Sequence, residues 1–357
     1  MTFSAILWAK AVNINFLSSH HGCGSQQNLM ALLNRDNVFQ KFKQSMSSTA
    51  PACFKNKHIL ITGGASGFGL GCARRFAELG ANVTIADINK VQGEYFADEI
   101  NTISQRSDAC RFEELDLSST TSIEDFSSRV NERAGIDVLL NNAGIYPPSQ
   151  LALSESGQEL TFAIAYLGHF RLTAALWPNL LAAENARVIS VTSMVQRKAQ
   201  LHLDDMAIAE QYLPIRAYQR AKLACLMFAL ELDQRCQAKG VPVRSLAIHP
   251  GICRSNLGAN RPVRPDDNLW QRLMTLLQGY GLQYFGQSAA TAANVAVTAA
   301  RSPIDGIPFF GPTGPFEAFG RVGPSQPGPA ASNAALREML WQHTETTLNM
   351  KFELDNS

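Results

Sequence analysis

Tyr218 and Lys222 stand four residues apart in Ala217-Tyr218-Gln219-Arg220-Ala221-Lys222-Leu223, a spacing that puts both side chains on one face of a helix. Such a pair can move a proton. A free phenol has a pKa near 10, so it is only about 0.1% ionised at pH 7, and bringing that pKa to neutrality takes about 4 kcal/mol of preferential stabilisation of the phenolate. A neighbouring ammonium in a dry cleft is one source of that stabilisation. Ser193, at the end of the run Val191-Thr192-Ser193-Met194, adds a hydroxyl upstream. Taken alone, Tyr-x-x-x-Lys is a weak pattern, and a surface pair is the plainer reading. The weight of the pair depends on the elements that would carry it.

From His58 onward, short apolar runs alternate with amphipathic segments. Strands are expected at His58–Thr62, Asn82–Asp87, Asp137–Asn141, Arg187–Thr192 and Val243–His249. Ile123, Phe126 and Val130 form one helical stripe between them, and Leu223, Met227, Leu230 and Leu232 lie near the next. Apolar strands separated by helices indicate βαβ units. The expected fold is therefore α/β, a doubly wound, mostly parallel sheet with helices on both faces, in a single domain over residues 51–350. Residues 1–50 read as an irregular N-terminal extension, with a translation start at Met46 as an alternative, and 351–357 as a tail. Gly323 to Pro329 reads as a Pro/Gly loop before a last helix near Ala334–Thr347.

Directly after the first strand comes Thr62-Gly63-Gly64-Ala65-Ser66-Gly67-Phe68-Gly69, followed by the helical run Leu70 to Leu79. Glycines there permit a tight turn and let backbone approach a pyrophosphate, while the helix N-terminus supplies free N–H groups and partial positive charge. A glycine loop between strand and helix is the context that favours nucleotide binding in a Rossmann sheet over a mere turn. A cofactor cation bound there would then join Lys222 in stabilising a phenolate. Asp87 ends the second strand and can accept both hydrogen bonds of an adenosine ribose while repelling a 2′-phosphate. Neither Ile88 nor Gly64, Ala65 and Ser66 offers a cation, so NAD is favoured over NADP; the plainer alternative is that Asp87 caps the following helix.

The spacing Thr-Gly-x-x-x-Gly-x-Gly, followed by Asn141-Asn142-Ala143-Gly144, Ser193, Tyr218, Lys222 and His249-Pro250-Gly251, resembles the short-chain dehydrogenase/reductase family. The resemblance implies that Thr62, Gly63, Ser66, Gly67, Phe68 and Gly69 hold the cofactor phosphates and that Asp116 and Leu117 contact adenine. It also implies that Asn142, Ala143 and Gly144 line the cofactor and that Pro250, Gly251, Ile252 and Ser255 orient its nicotinamide. Tyr218 would exchange a proton with the substrate oxygen as hydride moves, Lys222 would also hold the ribose hydroxyls, and Ser193 would hydrogen-bond the reacting oxygen. Pairing of two copies through the helices bearing the tyrosine is a further implication. Leu167-Gly168-His169-Phe170 and the late Leu340-Trp341 pair narrow the likeness, over about Phe54 to Leu348, to the retinol dehydrogenase-like branch. That branch also takes in WW-domain oxidoreductase and protochlorophyllide reductase relatives.

Three departures stand out. The branch often uses NADP, against Asp87. Ala165 occupies the position of an asparagine that in the family holds a water in a proton relay. Ala221 replaces the serine usual before the lysine, a packing change.

Bulk properties narrow the function classes. A net charge of +1 without a cationic block gives no basis for nucleic-acid binding. Seven cysteines, an odd count without a Cys-x-x-Cys pair, suggest neither a disulfide framework nor a zinc site, but thiols in a reducing, cytoplasmic setting. His169 and His249 lack ligand-spaced companions and read as core or wall residues. No apolar run approaches the roughly 20 residues of a membrane span. Leu269, Trp270, Leu273, Met274, Leu276, Leu277, Tyr280 and Phe285 give an apolar face at about 256–286, either a lid over a lipophilic substrate or a surface packed on the core or a second subunit. The expected activity is hydride transfer between NAD(H) and a hydrophobic alcohol/carbonyl pair. The alternatives are an NADP-dependent carbonyl reductase of the same fold and a nucleotide-binding regulator with weakened catalysis.

Overall fold

The computed structural model describes residues 54–132, 135–203, 212–253, 286–303 and 306–355. Ser255, the apolar segment up to Phe285 and the N-terminal extension with Met46 lie outside them. Eight strands form one sheet in the order β3-β2-β1-β4-β5-β6-β7-β8. These are β1 (His58–Thr62), β2 (Asn82–Asp87), β3 (Cys110–Glu114), β4 (Val138–Asn141), β5 (Ala186–Val191), β6 (Val243–Ile248), β7 (Phe309–Pro312) and β8 (Val322–Pro324). Every pairing is parallel except that of β7 with β8. Ile59, Leu60 and Ile61 of β1 are fully buried because helices cover both faces, which is why the strand reads as an unbroken apolar run.

Helix α1 (Gly67–Glu78) follows β1, α2 (Lys90–Ser104) follows β2 and α3 (Thr120–Asn131) follows β3. The stripe Ile123, Phe126 and Val130 faces the core of α3 as its spacing requires. After β4, a short α-turn (Leu160–Phe162) and a π-turn (Ala163–Leu167) lead into α4 (Gly168–Ala175) and α5 (Trp177–Leu181). The long α6 (Pro214–Lys239) begins with proline at its first position and ends at Gly240, whose φ of 67° closes the helix in the left-handed region. Helix α7 (Ala289–Ala300) precedes β7, and α8 (Pro329–Ser332) and α9 (Ala334–Thr347) complete the chain.

Aromatic packing fixes α6 against the last helix. Trp341 lies 4.8 Å from Phe170, 5.9 Å from Phe228 and 5.3 Å from Phe352, ring centre to ring centre. The Arg235 guanidinium covers the Trp341 ring at 4.4 Å.

The stretch read as a loop from Gly323 is corrected in part: Val322–Pro324 pairs antiparallel with β7. Three residues with a proline carry almost no strand signal, and proline is tolerated there because β8 is an edge strand. No helix among the described residues is long and apolar enough to cross a membrane.

Strand order reverses between β1 and β4, since the chain leaves β3 at one edge and returns beside β1. The carboxyl ends of these two strands open the crevice where doubly wound sheets bind ligands.

Candidate active site

At the crevice, Gly63 has φ +63° and Gly67 φ +50°, so the loop uses two left-handed positions that glycine occupies without strain. Gly69 has a different reason for lacking a side chain. A Cβ there would stand 2.2 Å from the Gly63 carbonyl oxygen and 2.5 Å from Asn142 Nδ2. Ser66 precedes α1 in extended conformation without a side-chain cap, and the first turn holds no acidic residue. The first N–H groups of α1 thus face an uncovered turn of backbone, a donor set suited to an anionic phosphate.

Thr62 and Asn142 join the two central strands. The Asn142 amide Nδ2 donates to Thr62 O (2.8 Å) and Gly63 O (3.1 Å), while Asn142 N and Ala143 N donate to Thr62 Oγ1 at 2.9 and 3.0 Å. Thr62 Oγ1 also lies 2.8 Å from His169 Nε2, and His169 Nδ1 lies 2.9 Å from Ala165 O. Burial lowers the His169 pKa to about 4 against the opposing bond to Ala165. The neutral ring therefore donates from Nδ1 to the Ala165 carbonyl and accepts the Thr62 hydroxyl proton at Nε2. His169 is a core residue, as its lack of ligand-spaced companions implies, yet it also connects the glycine loop to the π-turn. Among the described residues no group of His, Cys, Asp or Glu is placed to hold a metal ion.

Asp87 ends β2 beside the loop. Its Oδ2 accepts Ala65 N and its Oδ1 accepts Asn89 N, both at 3.0 Å, so the carboxylate is held at the rim of the crevice. Asp116 shapes its own turn after β3, accepting Ser118 N at 2.8 Å and Ser118 Oγ at 2.7 Å. Leu117 follows it, buried against Gly168, where a Cβ would lie 2.4 Å from Leu117 O.

Strand β5 and α6 bring Ser193, Tyr218 and Lys222 to the same end of the sheet. Ser193 follows β5 and hydrogen-bonds the Tyr218 phenol. Burial pushes the Tyr218 pKa up to about 12, and the Ser193 bond offsets only part of that rise. Tyr218 is thus protonated at neutral pH. The Tyr146 ring stands 5.8 Å from it. Lys222 Nζ donates to Val191 O at 2.9 Å, and Thr192 Oγ1 donates to Lys222 O at 2.6 Å, fixing this turn of α6 to the end of β5. Burial lowers the Lys222 pKa, opposed by nearby Cys225. A Cβ on Gly144 would lie 3.7 Å from both Lys222 Nζ and the Ala165 side chain, so the turn after β4 faces the lysine directly.

At the other end of the crevice, Pro250, Gly251 and Ile252 follow β6. Gln287 Nε2 donates to Pro250 O at 2.6 Å, and Ile252 N donates to Ala318 O at 2.8 Å. Gly251 has φ +68°, and a Cβ there would meet Ala318 O at 2.3 Å. The structure thus gathers the glycine loop, Asp87, Asn142–Gly144, Ser193, Tyr218, Lys222 and Pro250–Ile252 along the carboxyl ends of the strands.

Motif reading passed over Cys225, Gln287, Arg197 and Glu317. Cys225 Sγ donates to Ala165 O at 3.1 Å, so the carbonyl of the asparagine-replacing residue carries two intramolecular donors. Nothing in the spacing of these four residues marks them; a lone glutamate inside the Pro/Gly-rich stretch after β7 was the only local hint.

Comparison with known proteins gives the family and the fold. A family model described as short chain dehydrogenase matches residues 57–265. Human retinol dehydrogenase 14 is 32% identical over 221 residues, 58% of this chain and 65% of that protein, so the match spans slightly less than two thirds of the relative. The crystal structure of an uncharacterized protein from Mycobacterium paratuberculosis superposes with a TM-score of 0.65 at 30% identity, covering 84% of this chain and 96% of that one. A short chain dehydrogenase/reductase from Burkholderia phymatum, solved in complex with NAD, shares the fold with a TM-score of 0.57 at 17% identity, over 85% and 99% of the two chains.

Proposed function

The chain belongs to the short-chain dehydrogenase family, and on that premise we propose that it is an NAD(P)-dependent oxidoreductase interconverting a lipophilic alcohol and its carbonyl counterpart. The observation that carries this reading is the Ser193–Tyr218 bond, with Lys222 one helical turn on and tied to the end of β5, beside the glycine loop at the β1/β4 switch point. The loop fits a dinucleotide because Gly63 and Gly67 take left-handed turns and the first turn of α1 carries neither a side-chain cap nor an acidic residue, while Gly69 lets the loop close against Gly63 and Asn142. Thr62–Gly69 would hold the phosphates, Asn142–Gly144 the middle of the cofactor, and Pro250–Ile252 its nicotinamide end. Ser255 is proposed to assist them. Asp116 and Leu117 are proposed to border the adenine. When bound, the cofactor supplies or accepts the hydride.

For carbonyl reduction, Tyr218 donates its phenolic proton to the substrate oxygen, which Ser193 also hydrogen-bonds. For alcohol oxidation, Tyr218 must first ionise, and Lys222 is the protein's own cation for that purpose. Burial holds the Tyr218 pKa up at about 12, so ionisation needs added positive charge near the phenol. A bound oxidised nicotinamide would supply further positive charge at that end of the crevice.

Asp87 favours NAD(H), because a carboxylate at the end of β2 accepts ribose hydroxyls and repels a 2′-phosphate. The lipophilic substrate class is supported by the apolar composition of residues 269–285 and by the likeness to a retinol dehydrogenase. A second reading, a nucleotide-binding regulator with weakened catalysis, rests on Ala165, whose carbonyl is already bonded by His169 and Cys225 rather than free to hold a relay water.

Purified protein screened with NADH and NADPH against lipophilic aldehydes and ketones tests both readings. Tyr218→Phe is expected to lower turnover on the order of 10²–10⁴-fold while cofactor binding persists. Unchanged turnover would remove Tyr218 from the mechanism. Binding of NADH without turnover of any carbonyl compound would favour the regulator.

A further inference from the structure

Two consecutive non-glycine residues in the turn between β7 and β8 adopt left-handed backbone, Phe316 with φ 56° and Glu317 with φ 53°. That conformation is unfavourable for a bulky side chain, and it persists only where surrounding contacts over-determine it. The contacts here converge on the Glu317 carboxylate. Oε1 accepts Arg197 Nη2 at 2.7 Å, and Oε2 accepts Ser325 Oγ at 2.7 Å and His249 Nε2 at 2.9 Å. These donors hold the carboxyl down at about pKa 2 against the opposing effect of burial.

The donors come from both sides of the cofactor crevice. Arg197 belongs to the 3₁₀ turn Met194–Lys198 that directly follows Ser193. His249 is the residue immediately before Pro250 and is 1% exposed. Its Nε2 bonds Glu317 and also lies 3.2 Å from Ser325 Oγ, itself bonded to the same carboxylate, and its Nδ1 has no partner among the described residues, so the glutamate and its serine hold the polar edge of the ring. The next residue, Ala318, bonds through its carbonyl to Ile252 N, and Gly251 has no room for a side chain against that same carbonyl. Gly311 closes the far side, where a Cβ would lie 2.0 Å from His249 Nε2.

We propose that Glu317 is a positioning residue that ties the Ser193-bearing turn and the Pro250–Ile252 segment into one rigid wall around the nicotinamide half of the cofactor. The inference rests on the nucleotide reading of the crevice. Glu317 reaches the phosphate loop through none of its hydrogen bonds, so its influence is confined to the nicotinamide end. A carboxylate is needed rather than an amide. Gln at this position has a single acceptor oxygen, and its NH₂ group would face a donor, Arg197 or the His249–Ser325 pair.

The confinement makes the proposal testable by ligand halves. Glu317→Gln and Arg197→Gln are compared with the natural protein in titrations with NADH and with ADP-ribose, which lacks the nicotinamide; if NADPH binds more tightly, it and 2′-phospho-ADP-ribose are used instead. Glu317→Gln is expected to weaken the dinucleotide on the order of tenfold, the size of one charge-assisted hydrogen bond, while ADP-ribose binding stays within about twofold. Arg197→Gln, which leaves the His249 bond intact and keeps the experiment readable if the first variant fails to fold, is expected to shift in the same direction by less. Equal loss for both ligands, or no loss for either, in the folded variants overturns the proposal. Failure of the natural protein to bind either ligand overturns the nucleotide reading itself, and the inference with it.

Discussion

Acid sensitivity built around His169 follows from the bridge between Thr62 and Ala165. The ring is buried and neutral, with a folded pKa of about 4, and it regains an ordinary pKa of about 6.5 on unfolding. The folded pKa of this base is depressed, so between the two values the unfolded chain binds more protons than the folded one. The stability due to neutral His169 is therefore complete above about pH 6.5 and is lost as pH falls toward 4. Between pH 7 and pH 5 the two pKa values give a loss of about 2 kcal/mol. The perturbation is His169→Gln, which can still bond Thr62 and Ala165 but does not titrate. At pH 7 the variant is expected to lose about 1–3 kcal/mol from poorer buried hydrogen bonds. Its disadvantage should then shrink by about 2 kcal/mol at pH 5, where only the natural protein carries the protonation penalty. Urea unfolding at pH 7, 6 and 5, followed by circular dichroism, measures the difference directly, since all other titrating groups are common to both chains. A constant difference across this range would refute the neutral bridge and with it the hydrogen-bond directions assigned at Thr62.

Gly69→Ala is expected to destabilise the chain by about 1–3 kcal/mol and to abolish NADH binding, because the added methyl group meets the Gly63 carbonyl and Asn142 together; a thermal midpoint and a fluorescence titration check the two effects. Asp87→Asn removes the charge that opposes a 2′-phosphate while keeping one acceptor for Ala65 or Asn89. The ratio of NADPH to NADH dissociation constants should fall by about tenfold or more, and an unchanged ratio would dismiss Asp87 as the selector.

The β1 and β2 boundaries were legible in the sequence because both strands are covered on both faces and read as continuous apolar runs with glycine or aspartate at their ends. Helix α9 was equally legible, its Asn333 cap accepting Leu336 N and its span matching the expected Ala334–Thr347. The edge hairpin was not. Strands β7 and β8 are short, rich in glycine and proline, and exist only because β6 offers a parallel edge to Phe309 and Phe310.

The candidate site divides along the same line. Gly63, Gly69, Asp87, Asn142, Tyr218 and Lys222 were recognisable by their order along the chain and the resemblance that order carries; the tight turn, the strand end and the four-residue helical spacing are each weak signals alone. Together they point to a nucleotide cradle and a proton-handling pair, the reading proposed above. Tertiary structure decided the rest. It placed Ser193 on Tyr218, turned Lys222 toward Val191, bridged Thr62 to Ala165 through His169, and brought Glu317 onto His249 from a turn 68 residues downstream. Those contacts join segments distant in sequence through buried polar groups. No periodicity records them, because a hydrogen bond constrains where two atoms meet and not how many residues lie between.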